Sequence, residues 1–558
     1  MQMPAFITRP VSAVRSALGL GGGAQMATHD AAGSSLPLAN WNPLPGSADA
    51  DTLADLGTMT ARSRDLARNN GVMAGGMQTL RDNIVGATLR LSATPDYRLL
   101  GWDRERAREW GNRTEALFRT WAETTECDAA RTLNLLGLSL QALGGAMTNG
   151  DAAALPLWLP RNGAQWSTRL MLLESDRLAT PLALSHRNDI RGGVEFDRYG
   201  APVAYYILKQ HPGDTLLNGF TGAAQEWERI PAFTDWGRKR FLHLHDKERT
   251  GQSRGKPIVA SVMKDFHMLG KYASNELQAS LANSLVAAFL QSDMDPQDVA
   301  AVFGTDASGA WKDFMGRKPM VRQMEGAAIL PLPPGATLQS FTPGRPNAAF
   351  EAFMLASMRN IAAGLNMPYE LLLKDFSRTN YSSARASLLE AWRYFNGRRR
   401  WLTDYWLRPI YELWLEEAVN AGVVEAPDFY RNRHAYTRCR FIFGGRGWVD
   451  PVKDATASKI RRESQVSTLE QECAEQGLDY EEVLDQLAVE QQMMRARGLQ
   501  PAAVQAAALA PARPSPARDE QDGDSDQDDQ DDPDNRDTDE DDDQDRARTE
   551  DQERGTRP

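Results

Sequence analysis

The chain has 558 residues, 42% of them hydrophobic, and a formal charge of −12 from 63 basic and 75 acidic side chains. The acidity is local: residues 519–558 hold 20 acidic and 5 basic residues, which leaves a net +3 on the preceding 518, so the pI of the whole chain says nothing about partners of the body. Three widely spaced cysteines (Cys127, Cys439, Cys473) argue against a disulfide framework and a cysteine-rich zinc site, and no apolar run approaches the ~18 residues needed to span a bilayer.

Residues 1–50, rich in Ala, Gly, Ser and Pro, read as a flexible arm. Apolar residues at threes, fours and sevens predict helix from Asp51 to about Gly86, from Asp103 (as the cap) to Ala122, and from Leu133 to Thr148. Between 150 and 260, turn pairs (Asn162-Gly163, Gly192-Gly193, Tyr199-Gly200, Pro212-Gly213) separate short apolar runs, as in a strand-rich region with hairpins. Helix is expected again over Val262–Gln291, where Leu277, Leu281, Leu285 and Phe289 form a four-residue series among small residues suited to close packing. Prolines break up 292–345; Asn347–Leu365 reads as helix. An amphipathic stretch, Ser382–Ala421, carries four tryptophans that read as core and interface, and Pro409 should kink or divide it. Two or three short helices are expected over 449–497, then an Ala/Pro linker and the acidic tail, both predicted to be disordered. The class is α+β, mainly helical.

Catalytic constellations are hard to find. Gly251–Pro257 resembles a phosphate-binding loop, but it has three residues between its glycines and a proline where a magnesium-holding hydroxyl belongs, so it reads as a structural turn. His243 and His245 share a strand face without a convincing third or fourth metal ligand. No nucleophile elbow or zinc-helix motif is present; the reading is non-enzymatic, with no cofactor and no metal. Arg398-Arg399-Arg400, flanked by aromatic residues, reads first as a solvated helix face or a source of subunit ion pairs, and second as contacts to a phosphate backbone.

Four ordered segments resemble the lambda-type phage portal proteins. The strongest is Met367-Pro368-Tyr369-Glu370, then Lys374-Asp375-Phe376-Ser377, then Asn380-Tyr381-Ser382-Ser383-Ala384-Arg385. The others are Arg62–Asn70 leading to Asp82–Gly86, His245 with Arg249–Gly255, and Val449–Asp454 with Gly477–Val483 downstream. In the stretch after His245 the family usually has Pro-Gly-Gln-x-Arg-Gly, and Arg249-Thr250 before Gly251-Gln252-Ser253-Arg254-Gly255 depart slightly from it. The resemblance runs from about residue 60 to 497 and leaves out the N-terminal arm and the tail.

This resemblance implies a homo-oligomeric ring, typically of twelve copies, at one capsid vertex of the virion, built in the host cytoplasm. The ring would serve as the channel for packaging and ejecting double-stranded DNA, which it passes non-specifically. Implied partners are the chain itself, the terminase large subunit, capsid and scaffold proteins and neck or head-completion proteins, with no membrane. The implied portal fold has a wing-like region (51–261), a first stem helix (262–291), a clip-like region (292–345), a returning stem helix (346–375), a channel loop, long helix and wing return (376–448), and a crown-like C-terminal region (449–500). Lys374 and Arg398–Arg400 are candidates for the channel or subunit contacts, and Leu277, Leu281, Leu285 and Phe289 for stem packing. A packaging adaptor that forms no ring, or a terminase-associated nucleic-acid-binding protein, is the alternative.

Overall fold

In a computed structural model, which describes residues 40–214, 226–285, 289–291, 337–339, 349–445, 447 and 451–499, Ser47 caps the first helix by accepting from the Ala50 amide at 3.1 Å. The predicted helical stretch to Gly86 is two helices, α1 (Ala48–Asn69) and α2 (Gly71–Ile84). They break at Asn70, whose backbone is extended and whose side chain caps α2 through the Met73 amide; Asn69-Asn70-Gly71 is a run of poor helix formers. Strand β1 (Leu89–Ala93), the short α3 (Tyr97–Leu100) and α4 (Arg104–Ala122) follow, the last capped by Asp103 as expected. Helix α5 (Leu135–Asn149) ends at Gly150.

Seven strands then follow: β2 (Asp151–Trp158), β3 (Thr168–Leu173), β4 (Ile190–Arg191), β5 (Val194–Phe196), β6 (Pro202–Leu208), β7 (Trp227–Pro231) and β8 (Leu242–His245). They form two antiparallel sheets, ordered β3-β2-β8 and β4-β5-β6-β7. The β4–β5 hairpin turns on Gly192-Gly193, both at positive φ, which only glycine adopts without strain. The two sheets share a small core of their own, around Leu155, Val194, Tyr205 and Phe241.

Helix α6 (Met263–Leu285) stops six residues short of the expected end at Gln291. Phe289–Gln291 is instead strand β9, paired antiparallel with β10 (Thr337–Gln339). The apolar run around 285–290 suits either element by periodicity, and pairing with a distant partner decides it. Helices α7 (Phe350–Gly364), α8 (Tyr369–Leu373) and α9 (Tyr381–Leu402) lead into a π-helical turn, Thr403–Leu407, and then α10 (Arg408–Asn420). The expected division at Pro409 therefore falls one turn earlier. Proline lacks the N–H that would bond the Tyr405 carbonyl, and the wider π turn accommodates this.

The chain continues through α11 (Arg433–Tyr436) and β11 (Cys439–Phe443), which pairs with β1, and ends its described part in α12 (Pro451–Glu463), α13 (Leu469–Glu475) and α14 (Tyr480–Ala496). The β1–β11 pair spans over 300 residues of sequence and has no local signal. Packing divides the chain into two units, 1–485 and 486–558. In the first, the main core gathers Trp121, Trp406, Tyr411 and Trp414, all fully buried, with Phe118 edge-on to Trp414 at 5.1 Å. Of the four tryptophans of the long amphipathic stretch, Trp406 and Trp414 are thus core residues, while Trp392 and Trp401 are half-buried and pack against the core's edge. No described helix is long and apolar enough to cross a membrane.

Candidate functional site

The Tyr369–Arg385 motif builds a turn. Pro368 starts α8, in which Glu370 and Leu372 are buried. Lys374 ends α8 in the left-handed conformation, φ 58°, a strained position for a non-glycine residue. Asp375 accepts from the Ser377 amide (3.0 Å) and hydroxyl (2.7 Å), which holds its carboxyl below the usual range. Asn380 caps α9, in which Tyr381 is the first residue and Ser382 is exposed, through the amide and hydroxyl of Ser383. Arg385 faces Asp454 at 3.6 Å. Most of these side chains are spent on caps and turns; Phe376 stands out to solvent, 44% exposed.

Beside this turn, α7, α8 and α9 line an open cleft of about 980 Å³, where Arg359 stacks over Tyr369 at 4.9 Å. Arg398 closes one end, paired with Asp246 at 2.5 Å and stacked on Tyr394 and Trp401. Arg399 donates to the carbonyls of Asn83, Ile84 and Gly444 at 2.7–2.9 Å, and burial pulls its guanidinium down to about 10. Arg400 is exposed and pairs with Asp404. The arginine triplet is thus not one surface: two members bind the fold and one faces solvent.

On α6, Leu277 and Leu281 are 63% and 56% exposed, Leu285 is the last helical residue, and Phe289 lies in β9, outside the helical series. Helix α7 meets the body half of α6, where Tyr272 stacks on Phe350 at 5.6 Å and meets Phe353 edge-on.

Within the glycine-rich loop 251–257, Gln252, Ser253, Arg254 and Gly255 are buried, while Gly251 and Lys256 are exposed. Ser253 donates to Asp49, and Arg254 binds the Asp151 carboxylate through two nitrogens and the carbonyls of Ser175, Leu178 and Gly192. Gly255 lies so close to Gly150 that a Cβ there would meet its carbonyl oxygen at 1.8 Å. The loop is a staple for the sheets; Gly255 serves the close backbone approach and Gly251 a left-handed backbone, φ 84°. His243 donates from Nε2 to the Asp151 carboxylate at 3.1 Å and stacks on His245 at 4.1 Å, so the pair does not open onto a shared ion. Burial, with His243 adjacent, pushes His245 down to about 2, and neither of its ring nitrogens has a hydrogen-bond partner. Burial opposes the Asp151 charge, but Arg254 overrules it and holds the carboxyl well below its ordinary range. One trio among the described residues, Glu174, Asp176 and His211, brings metal-ligand atoms together, but Arg64 already pairs with Asp176.

Sequence reading missed a second cluster. Glu481 and Glu482, at the start of α14, meet Arg90 on β1 and Arg108, Asn112 and Arg119 on α4. Beneath them Glu115 accepts from the Ala93 amide at 2.6 Å, and burial pushes its carboxyl up to about 8. These partners are more than 360 residues apart, and only the fold brings them together.

Comparison with known proteins covers most of the chain. The sequence model described as "Phage portal protein, lambda family" matches residues 35–399. The portal protein of Escherichia phage N15 is 31% identical over 505 residues, 87% of this chain and 93% of its own. Portal protein B of Escherichia phage lambda is 31% identical over 495 residues, 84% of this chain and 90% of its own. Among solved structures, the neck of a native gene transfer agent particle computed with C12 symmetry is 15% identical, covering 66% of this chain and 84% of that one at a TM-score of 0.36. On the sequence relatives, the chain belongs to the lambda family of phage portal proteins.

Proposed function

We propose that this chain forms the portal ring at one capsid vertex of a virion, the conduit through which double-stranded DNA is packaged and ejected. The carrying observation is its alignment with two phage portal proteins over more than four fifths of its length. In this reading α6 and α7 are the stem, 292–345 the clip, 51–261 the wing, 376–448 the channel loop, long helix and wing return, and 449–500 the crown. Two features support it: α6 and α7 pack against each other through Tyr272, and α6 leaves leucines exposed that a neighbouring copy would cover. Such head-to-tail packing closes into a ring. A near-neutral body also suits a conduit, since each neutralised phosphate would add unwanted affinity. The ring, of about twelve copies, would dock terminase during filling and neck proteins afterwards.

Negative-stain microscopy of the purified full-length chain should show rings with a central hole, and Leu277→Glu with Leu281→Glu should yield folded protein without rings. Particles without a hole under all assembly conditions would favour the adaptor reading instead.

A further inference from the structure

The open cleft of about 980 Å³ beside the family motif holds a carboxylate without a partner. Glu370 lines it, is only 6% exposed, and has no hydrogen bond or ion pair from its side chain to any described residue. The arginines of the cleft are engaged otherwise: Arg393 pairs with Glu390 at 3.0 Å, Arg398 with Asp246, and Arg359 lies over the Tyr369 ring. Glu370 stands in the first turn of α8, where the helix dipole favours an acid. That weak interaction does not replace the water that burial removes. The cleft opens to solvent, so a group from outside can enter it.

Two more features destabilise a single copy with nothing in that copy to offset them. Lys374 is exposed, sits in the strained left-handed region at φ 58°, and has no ion pair among the described residues. Its backbone leaves the helical path at the point where an i, i+4 pair with Glu370 would otherwise form. Gly397 lies inside α9 on the wall of the same cleft, and a Cβ built on it would meet nothing within 4 Å. Glycine inside a helix is less stable than alanine, so the contacts within one copy give no reason for it. An unpaired buried acid, an unpaired lysine held in a fixed turn, and bare backbone beside them have complementary charges and room for close approach.

We propose that Lys374 of one copy of this chain pairs with Glu370 of the next, and that Gly397 gives the neighbour room to approach the cleft. The inference rests on the portal reading, which supplies the second copy. The contact is head-to-tail: each copy offers a lysine on one side and a carboxylate on the other, and repeated rotation closes the series. The two residues stand about 6 Å apart along the chain axis of α8. Copies can therefore meet through them only where they crowd together, close to the axis of the ring.

The test is a charge-reversal mixing experiment on the full-length chain, read by negative-stain microscopy and sedimentation. Glu370→Lys alone sets two cations against each other at every contact, and Lys374→Glu alone sets two anions, so neither variant should form rings where the wild type does. Mixed in equal amounts they should recover rings, because alternating copies in an even-numbered ring restore an opposite pair at every contact. The like charges within each copy persist in the mixture, so recovery cannot come from a pair inside one copy. Rings from either variant alone at the wild-type yield, or no recovery from a mixture of variants with wild-type circular dichroism, would overturn the proposal. If Glu370→Lys does not fold, Glu370→Gln and Lys374→Gly decide. Each relieves a burden on the single copy, so each should melt no lower than wild type when measured below the assembly concentration, yet each should lower the ring fraction several-fold at limiting concentration. A lower melting temperature, the mark of a role inside the copy, or an unchanged ring fraction would equally overturn it. Wild-type rings indifferent to these substitutions refute the pair and leave the portal reading standing, whereas wild type without rings removes both.

Discussion

Removing the Arg254 side chain strands the Asp151 carboxylate, which is 2% exposed and keeps only His243 as a partner. Breaking a buried pair from one side leaves an uncompensated charge and typically costs about 3–5 kcal/mol. Arg254→Ala should therefore lower the urea-unfolding free energy by several kcal/mol, and a loss under about 1 kcal/mol would show that the loop is no staple. His245 gives a second prediction at this scale. Its folded value near 2 lies below the ordinary 6.5, so the native state keeps the ring neutral while the unfolded chain takes up a proton below pH 6.5. Stability from this residue is thus present above pH 6.5 and falls as pH drops towards 2, with a slope approaching roughly 1.4 kcal/mol per unit. Glu115 titrates in the opposite sense: its raised value makes stability fall as pH rises from about 4.5 to about 8. The comparison that isolates His245 is therefore wild type against His245→Gln, whose urea midpoints at pH 6.5 and 5 should differ less. Identical pH dependence in both would rule the residue out as the source.

Among the elements, the C-terminal helices are held differently from the rest. Helix α12 buries no residue, and α13 buries only Glu472 and Cys473. The start of α14 is fastened by Glu481 and Glu482 to arginines that are about half exposed. Salt screens such contacts far more than an apolar core. Glu481→Gln with Glu482→Gln should speed proteolytic cleavage around residues 476–485, as raised salt should in the wild type, while tryptophan fluorescence reports an intact core; unchanged cleavage would mean apolar contacts hold this segment. Little of this fastening was legible in the sequence. Elements that announce themselves locally, such as α4 with its Asp103 cap or the Gly192-Gly193 hairpin, were read correctly because periodicity and turn chemistry act over a few residues. The β1–β11 pair, the end of α6 at Leu285 and the Arg254–Asp151 bond depend on partners far along the chain, which no window of sequence contains. The family motif was legible as a resemblance, but its residues turned out to serve capping more than contact, and Arg398–Arg400 looked like one patch because adjacency in sequence hides three different directions around a helix.

For the molecule as a whole, the short β9–β10 pair has a practical consequence. Gln291 and Thr337 sit directly opposite each other across the ladder, so the chain leaves and re-enters at a single point. Partners in such a ladder have Cα atoms only about 4.5–5.5 Å apart, a gap that a two-residue Asn-Gly turn closes. Replacing residues 292–336 by Asn-Gly should give a chain with the near-ultraviolet circular dichroism and melting temperature of the parent; collapse of either would show that the body needs the excised stretch. If the graft is tolerated, the 45 intervening residues are an exchangeable cassette. Selection could then refit them to a different interlocutor, or an engineer could substitute a foreign insert, without renegotiating the packing of the remaining scaffold.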